Sequence, residues 1–332
     1  MESDVKQAQK LGINSFYIPK AIEILFDTDP RAERFYGKYR KDIGTSILLG
    51  LLASHIEQSY KNYWYEFGYK YAGPIIFGYM QWLNKQLMID EIKKILFIAR
   101  DGYTLEKVFN LINTFESQVY YFYFPQRIVD KILINNMEDV INVKEYMSHL
   151  DQFNLKDKKI AMVDFVTTYF TSQRELIKMF SEKYIKGYYW HCPKSEYENL
   201  IFDSYQNNNK NGIDKEFFEL EDHDILELIM TTPTLHIKNF LNCKSVFEDE
   251  NELEDVRKKL YFDLSNGAVD FAKDFINHFS KINGYFTYKI LIDWLNMFLK
   301  FPSETDKCEF FNVEHTLNSY YNQYFNLINK WY

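Results

Sequence analysis

Cysteine is scarce in this sequence, and no short spacing brings two metal-binding side chains together. The three cysteines, Cys192, Cys243 and Cys308, lie far apart in a chain of 332 residues. Because their number is odd and no CxxC or HxxxH pair occurs, neither a disulfide framework nor a zinc site is indicated. This usage favours a reducing compartment, and we expect the protein to be cytoplasmic.

Long apolar runs and dense basic clusters are also missing. The most apolar stretch, residues 47–56, is far shorter than the roughly 20 residues that a membrane-spanning helix needs. The first residues have no apolar core of the kind found in signal peptides. The net charge is −8, and no group of Lys and Arg marks a surface for a phosphate backbone. We therefore expect no membrane span and no nucleic-acid partner.

The common catalytic motifs do not occur either. No nucleophile elbow, phosphate-binding P-loop, GxGxxG or protein-kinase motif is present, so no catalytic residue is identified. The Asp-x-Asp pattern at Asp27 and Asp29 matches the nucleophile of aspartyl phosphatases only superficially. That nucleophile ends a buried strand, whereas residues 19–26 have a helical pattern and Pro30 follows directly. We predict that Asp27 is not a nucleophile.

The sequence does contain the composition of a globular protein, with an unusual share of aromatic residues. Hydrophobic residues make up 46% and charged residues 26% of the chain, which argues against disorder. Aromatic residues reach 18% and are dense in residues 60–71. Such a stripe favours core packing between helices over a carbohydrate-stacking surface.

Short apolar runs alternate with helical patterns in the middle of the chain. The runs that predict buried strands cover residues 94–99, 119–124, 159–165 and 186–191. Helical patterns follow the first and third runs, and this alternation predicts a Rossmann-like α/β fold with a parallel sheet flanked by helices. Apolar residues spaced by three and four predict a helical C-terminal region from about residue 252.

Two other segments give local expectations. Residues 4–12 predict a helix that ends at Gly12, and residues 13–18 predict a strand. The polar, Asn-rich residues 196–211 predict an exposed loop.

The first candidate site is the turn that follows residues 94–99. It reads Arg100-Asp101-Gly102-Tyr103, and ligands of open parallel sheets bind outside the carboxyl ends of the strands. Glycine permits a tight turn and a close approach of the backbone. Asp101 suits a magnesium ion or the cap of the following helix, and Arg100 suits a phosphate group.

The second candidate site is the turn that follows residues 159–165. Here Asp164 precedes a set of hydroxyl side chains at a predicted helix start, which are Thr167, Thr168, Thr171 and Ser172. Free N–H groups and hydroxyls at a helix start favour an anion, and Asp164 with Asp101 forms a candidate magnesium site. The alternative is that both turns contain only ordinary helix caps and ion pairs.

The second turn partly resembles the diphosphate-binding turn of phosphoribosyltransferases, which places acidic residues before Thr-Thr-Gly-x-Thr. This chain has a single acid, Asp164, and has Tyr169 and Phe170 where glycines let the backbone approach a phosphate. These departures disfavour a phosphoribosyltransferase.

Three sets of residues together resemble a known family. Residues 3–13 read Ser-Asp-Val-Lys-Gln-Ala-Gln-Lys-Leu-Gly-Ile, residues 99–103 read Ala-Arg-Asp-Gly-Tyr, and residues 226–229 read Leu-Glu-Leu-Ile. In this combination the chain is similar to haloacid dehalogenase (HAD)-like proteins of bacterial surface-polysaccharide biosynthesis clusters. The resemblance adds Glu227 to the candidate ligand-binding residues. Residues 165–171, however, lack the two glycines of the family's second turn.

The resemblance implies a HAD-like hydrolase whose N-terminal catalytic segment is missing. Asp4 matches the later acid of the metal-binding loop, whereas the Asp nucleophile, the phosphate-binding Ser/Thr and the Lys have no counterpart. The expected organisation is then a remnant of a HAD-type domain at 1–20 and a helical aromatic-rich segment at 21–90. A Rossmann-like domain at 91–240 and a helical region at 241–332 would follow.

These observations lead to one hypothesis and two alternatives. The hypothesis is a protein of cell-surface polysaccharide biosynthesis that binds a phosphorylated or nucleotide-linked sugar between the two turns and lacks aspartyl-phosphatase activity. Arg100 would contact phosphate, Asp101 and Asp164 would hold a metal or sugar hydroxyls, and the threonines would donate hydrogen bonds. The first alternative is a non-catalytic module that docks a HAD domain or a glycosyltransferase through its aromatic helices. The second is an active phosphatase or phosphoribosyltransferase-like enzyme.

Overall fold

The structure is a computed structural model of the chain. It describes residues 2–56, 62–125, 129, 140–155, 159–167, 169–180, 184–192, 199–208, 220–235, 237–247, 252–279, 286–311, 313–316 and 324–326. The chain divides into two compact units, Met1–Tyr60 and Lys61–Tyr332.

The first unit is helical in its described part. Its helices are α1 (Glu2–Lys10), α2 (Ala21–Thr28), α3 (Pro30–Tyr39) and α4 (Ile43–His55). Gly12 follows α1 with a φ of +75° and ends this helix, as the sequence predicted. The side chains of Asp29 and Asp42 accept hydrogen bonds from N–H groups in the first turns of α3 and α4. Aspartate at these positions satisfies donors that the helix itself leaves unpaired.

Two expectations concern the start of this unit. The strand predicted at residues 13–18 is wrong, because these residues form no strand. A strand needs a neighbouring strand to pair its N–H and C=O groups, which an apolar run alone does not guarantee. Asp27 lies inside α2, so it does not end a strand, in agreement with the helical pattern before it.

The second unit contains the sheet. Its helices are α5 (Tyr63–Phe67), α6 (Gly73–Asp90), α7 (Gly102–Ile112), α8 (Val140–Asp151), α9 (Thr171–Met179), α10 (Tyr205–Asn208), α11 (Leu220–Met230), α12 (Glu252–Phe279), α13 (Tyr288–Lys300) and α14 (Glu304–Phe311). Its strands are β1 (Lys94–Ile98), β2 (Gln118–Phe122), β3 (Lys159–Val166), β4 (Tyr184–His191), β5 (Phe202–Ser204), β6 (Ile237–Leu241), β7 (Lys244–Phe247), β8 (Glu314–Thr316) and β9 (Tyr324–Asn326). The four predicted strands correspond to β1, β2, β3 and β4 and are confirmed.

The main sheet has five parallel strands in the order β2-β1-β3-β4-β5. Its register places Phe97 beside Val163 and Asp164 beside Tyr189. The chain moves from β1 outward to β2 and then returns past β1 to β3, β4 and β5. This is a doubly wound order whose direction reverses between β1 and β3. The predicted Rossmann-like α/β fold is therefore confirmed.

Helices cover both faces of this sheet. On one face, α7 packs on β1 and β2 and against α6 and α12. On the other face, α8 and α9 enclose a core in which Leu96, Met162 and Tyr189 are fully buried. Alternate residues of one strand point to opposite faces, and this arrangement explains why the strands are apolar on both sides.

The aromatic residues at 60–71 form core where the structure describes them. Tyr65, Phe67, Tyr69 and Tyr71 are all buried. The ring of Phe67 lies 5.1 Å from that of Phe298, and Tyr71 stacks on Trp294 at 5.3 Å. The prediction of core packing is confirmed. These four side chains are not available as a docking surface or a carbohydrate platform.

Three features of the second unit differ from the expectations. Residues 196–211, predicted as a loop, contain β5, which pairs with β4, and also contain α10. The antiparallel pair β8–β9 lies within the region from about residue 252 that the sequence predicts as helical, and β7 of the pair β6–β7 lies within the helical region expected at 241–332. The predicted helical pattern itself is confirmed by α12, α13 and α14. Among the helices that the structure describes, none has the length and apolar character needed to cross a membrane.

Candidate functional site

The two candidate turns lie next to each other at the carboxyl ends of adjacent strands. Arg100-Asp101 follows β1, and Asp164 lies near the end of β3, its neighbour in the sheet. The winding direction reverses between these two strands, and this is the position at which doubly wound sheets typically bind their ligands. The sequence predicted both turns, and the fold brings them to this position.

Arg100 has an unusual backbone conformation. Its φ is +79°, in the left-handed region that residues other than glycine seldom adopt. Its N–H donates a hydrogen bond of 2.9 Å to the hydroxyl of Tyr121 on β2. Arg100 is also exposed, so its guanidinium group is accessible from solvent.

Asp101 does not cap the helix that follows it. It occupies the residue before α7, but its backbone is helical and its side chain makes no capping hydrogen bond. The interpretation of this residue as an ordinary helix cap is therefore wrong. A half-buried carboxyl group that is not used for capping is available for another interaction.

Asp164 is held in place by the backbone of its own strand and by α6. Its Oδ1 accepts a hydrogen bond of 2.9 Å from the N–H of Phe165. The hydroxyl of Tyr79 lies 2.9 Å from the carbonyl oxygen of Asp164 and 2.8 Å from that of Tyr188. Tyr79 therefore bridges β3 and β4 directly beneath the candidate site.

The pKa values of Asp101 and Asp164 are both raised above the ordinary value of an aspartate. The pKa of Asp101 is raised to about 8, mainly by burial and also by the negative charges of Asp164 and Glu227, while the charge of Arg100 opposes the rise. Burial also raises the pKa of Asp164 to about 6, against the N–H of Phe165 and the charge of Arg100. Two neighbouring carboxyl groups that resist joint ionisation favour a state with one proton on the pair near neutral pH. One can then donate a hydrogen bond while the other accepts one.

Glu227 reaches the same edge from a distant part of the sequence. It lies on α11, is exposed, and influences the pKa of Asp101 by its charge. The structure thus brings together four of the predicted site residues, which are Arg100, Asp101, Asp164 and Glu227.

The hydroxyl residues of the second turn stabilise the turn itself. The Oγ1 atom of Thr167 accepts a hydrogen bond of 2.9 Å from the N–H of Phe170, whose φ is +54°. Thr171 is exposed and Ser172 half-buried in the first turn of α9. Thr168 lies outside the described residues. Of the three members that the structure describes, Thr167 is the one with a side-chain hydrogen bond at the end of β3, where its oxygen is already an acceptor.

Gly102 and Tyr103 have packing roles. A Cβ atom at Gly102 would lie 2.8 Å from the carbonyl carbon of Phe97, so glycine permits the close approach of α7 to β1. The ring of Tyr103 lies 6.1 Å from that of Tyr121, and the Nζ of Lys107 lies 3.9 Å above it. Both residues therefore contribute to the packing of the turn, and no ligand contact is needed to explain them.

Three further residues lie at the carboxyl edge of the sheet and were not predicted from the sequence. They are Tyr121 on β2 and the two threonines Thr232 and Thr234 after α11. Thr232 and Thr234 interact with the Tyr121 hydroxyl, and their own Oγ1 atoms are 2.9 Å apart. The available signal was the polar Thr-Thr-Pro-Thr run directly after a helix. Without the strand order, however, nothing connects that run to β2.

A magnesium ion at Asp101 and Asp164 stays a prediction. Carboxylate oxygens are the ligands that this ion prefers, and a cation would relieve the repulsion between the two groups. Among the residues that the structure describes, however, no three His, Cys, Asp or Glu side chains are grouped closely enough to hold a metal ion. Arg100 already supplies a positive charge next to both carboxyl groups.

Comparison with known proteins gives no further assignment. No family model matches this chain, and no curated protein matches it. The resemblance to HAD-like proteins therefore stays an interpretation of the sequence.

Proposed function

We propose that this protein binds a phosphorylated or nucleotide-linked sugar at the carboxyl edge of its sheet, in cell-surface polysaccharide biosynthesis. The observation that carries the proposal is the meeting of Arg100, Asp101 and Asp164 at the point where the sheet reverses its winding. The assignment to polysaccharide biosynthesis depends on the sequence resemblance alone.

The chemistry of the three residues suits such a ligand. An exposed guanidinium group forms paired hydrogen bonds with phosphate oxygens, which is the role proposed for Arg100. A carboxyl pair that retains one proton offers both a donor and an acceptor, and sugar hydroxyls need both. Asp101 and Asp164 would therefore bind neighbouring hydroxyls of the sugar.

We further propose that the chain has no aspartyl-phosphatase activity of its own. Asp27, the first residue of the Asp-x-Asp pattern that follows an apolar run, lies within α2 and not at the end of a strand. Magnesium-dependent hydrolysis of a generic phosphate ester is expected to be absent. Hydrolysis by the wild type that disappears in Asp27→Asn would contradict this.

The alternative of a docking module is supported by a different observation. In the first unit, Leu11, Phe16 and Ile18 are 78%, 89% and 84% exposed, which is unusual for large apolar side chains. A HAD domain or a glycosyltransferase is the partner that the resemblance suggests. Sedimentation of the purified chain with such a protein, compared with a Phe16→Ser variant, tests this alternative.

Ligand binding is tested directly by thermal shift. The panel contains glucose 1-phosphate, UDP-glucose, glucose and phosphoribosyl diphosphate, each with and without magnesium. A ligand at about 100 times its dissociation constant stabilises the folded state by about 2.7 kcal/mol, which raises the midpoint by a few degrees.

The variants locate the site. Asp101→Ala is expected to abolish the shift, whereas Asp151→Ala, at an exposed aspartate that ends α8, is expected to retain it. A shift that is equal in both variants would place the ligand elsewhere. No shift with any compound would favour the docking module.

A further inference from the structure

Tyr121 lies at the centre of a small network that no motif predicts. It stands on β2 beside Phe97 of β1, and its hydroxyl accepts the N–H of Arg100 at 2.9 Å. The side chains of Thr232 and Thr234 interact with the same oxygen. Three separate parts of the chain thus meet at one phenol group.

The contact with Arg100 has a particular consequence. A φ of +79° is unfavourable for arginine, so the surrounding contacts must fix it. The Tyr121 hydroxyl is the side-chain group that receives the Arg100 N–H. Without that acceptor, the turn is expected to relax towards a conformation with negative φ, and the guanidinium group would move with it.

The other side of the network is rigid. Thr232 is only 3% exposed, and its Oγ1 accepts the N–H of Thr234 at 3.2 Å. Both residues directly follow α11, the helix that carries Glu227. The Tyr121 ring itself packs edge-on against Tyr103 and Tyr123, with centroids 6.1 Å and 5.1 Å away. The ring that carries the hydroxyl is therefore packed against two neighbouring rings.

We infer that Tyr121 is a positioning residue of the sugar-phosphate site, whose hydroxyl fixes the Arg100 turn and links it to the segment after α11. The inference rests on the proposed function for the identity of the ligand. Its structural part, that the Tyr121 oxygen holds the Arg100 backbone, is measurable without any ligand.

The test uses Tyr121→Phe, which removes one oxygen and retains the ring packing. The control is Tyr120→Phe, because the hydroxyl of Tyr120 is exposed and makes only a 3.5 Å contact with Gln118. Binding of glucose 1-phosphate and of glucose is measured by calorimetry. Tyr121→Phe is expected to weaken glucose 1-phosphate about tenfold, as for loss of one well-placed hydrogen bond, and to change glucose binding little.

A double-mutant cycle separates positioning from a direct contact. If Tyr121 acts through Arg100, then Tyr121→Phe causes no further loss of affinity in an Arg100→Ala background. An additional tenfold loss in that background, or wild-type affinity in Tyr121→Phe alone, would overturn the inference while leaving the proposed function intact.

Amide hydrogen exchange decides the structural part. The Arg100 amide is expected to exchange at least about fivefold faster in Tyr121→Phe than in the wild type and in Tyr120→Phe. If the wild type binds neither glucose 1-phosphate nor glucose, the proposed function fails. The role of Tyr121 in holding the Arg100 backbone is then tested by the exchange rate alone. An unchanged rate would overturn that role.

Discussion

The sheet carries two groups of charged side chains, one towards each end of its strands, and the two groups combine their charges in opposite ways. Towards the amino ends, Lys186 lies between two carboxylates, 2.7 Å from Asp90 and 2.6 Å from Asp203. Towards the carboxyl ends, Asp101 and Asp164 lie near each other, with Arg100 as the neighbouring cation. The first group pairs opposite charges, whereas the second brings like charges together.

The pKa values express the same difference. Burial lowers the pKa of Lys186, but hydrogen bonds and charge interactions with Asp203 and Asp90 outweigh it and raise the pKa overall. Burial disfavours the charged form of both Asp101 and Asp164, and the negative charges of Asp164 and Glu227 disfavour it further at Asp101. A charged group that stabilises the fold keeps its charge. A group whose charged form destabilises the fold, and which lies at the carboxyl edge of the sheet, is a candidate for function. The two groups are therefore a structural cluster around Lys186 and a candidate functional cluster around Asp101 and Asp164.

The largest expected effect comes from breaking the first group. Lys186→Met leaves Asp90 and Asp203 close together without their shared cation, although both remain partly accessible to water. We expect a loss of about 3 kcal/mol in the free energy of unfolding, measured by urea denaturation. Lys159→Met is the control, because the exposed Lys159 bonds only the backbone oxygen of Asp90. A loss below about 1 kcal/mol in Lys186→Met would mean that this cluster is not structural.

The second prediction has the opposite sign. Asp101→Asn retains the shape of the side chain and removes a charge that the folded protein disfavours. At pH 8 we expect this variant to be more stable than the wild type by about 1–2 kcal/mol, while it loses ligand binding. A destabilised Asp101→Asn would assign Asp101 to the structural class.

The pH dependence sharpens this prediction. The folded-state pKa of each carboxyl group lies above the unfolded value of about 4, so proton binding favours the folded state. This contribution is complete below about pH 4 and is lost as the pH rises through about 6 and about 8. The stability gained by Asp101→Asn should therefore grow from pH 4 to pH 8. The histidines are the same in the variant and the wild type, so their titration cancels when the two unfolding free energies are subtracted.

Lys186 provides the contrast for this measurement. Its pKa is raised above a value that is already far above neutral, so its contribution is constant between pH 4 and pH 8. In Lys186→Met, however, protonation relieves the repulsion between the two carboxylates that remain, so the loss of stability should be smaller at pH 4 than at pH 8. A gain in stability towards pH 8, as expected for Asp101→Asn, would remove the distinction between the two groups.

The smallest expected effect comes from Tyr188, which bonds one of the two carboxylates around Lys186. The hydroxyl of Tyr188 donates a hydrogen bond to Asp90, and its ring is fully buried. Tyr188→Phe keeps the ring and should reduce the free energy of unfolding by about 1 kcal/mol. A thermal melt with a midpoint equal to that of the wild type would show that Lys186 alone stabilises Asp90.

The sequence predicted those parts of the fold that depend on local patterns. The runs at β1 and β3 are apolar and are followed by polar turns, so both the strands and the residues Asp101 and Asp164 were identifiable. By contrast, β5 has only three residues within a polar segment, and its pairing with β4 supplies the stability that its sequence does not indicate. The strand order, which makes the two turns neighbours, is likewise a property of the whole sheet.

For the candidate site, the sequence predicted several of the residues but not the contacts between them. Arg100 and Glu227 were named from the sequence, but the contact between Arg100 and Tyr121 joins residues whose patterns are unrelated. Thr167 shows the converse, because a hydroxyl that the sequence assigned to a ligand is used by the turn itself. In both cases a hydrogen-bond partner decides the role, and partners follow from tertiary structure.

A crystal structure of the protein with glucose 1-phosphate tests the central claim most directly. The account predicts electron density for the sugar between Asp101 and Asp164, with its phosphate group at Arg100. Density at another surface, or a crevice that stays empty at a concentration that saturates binding in solution, would contradict the assignment of this edge as the ligand site.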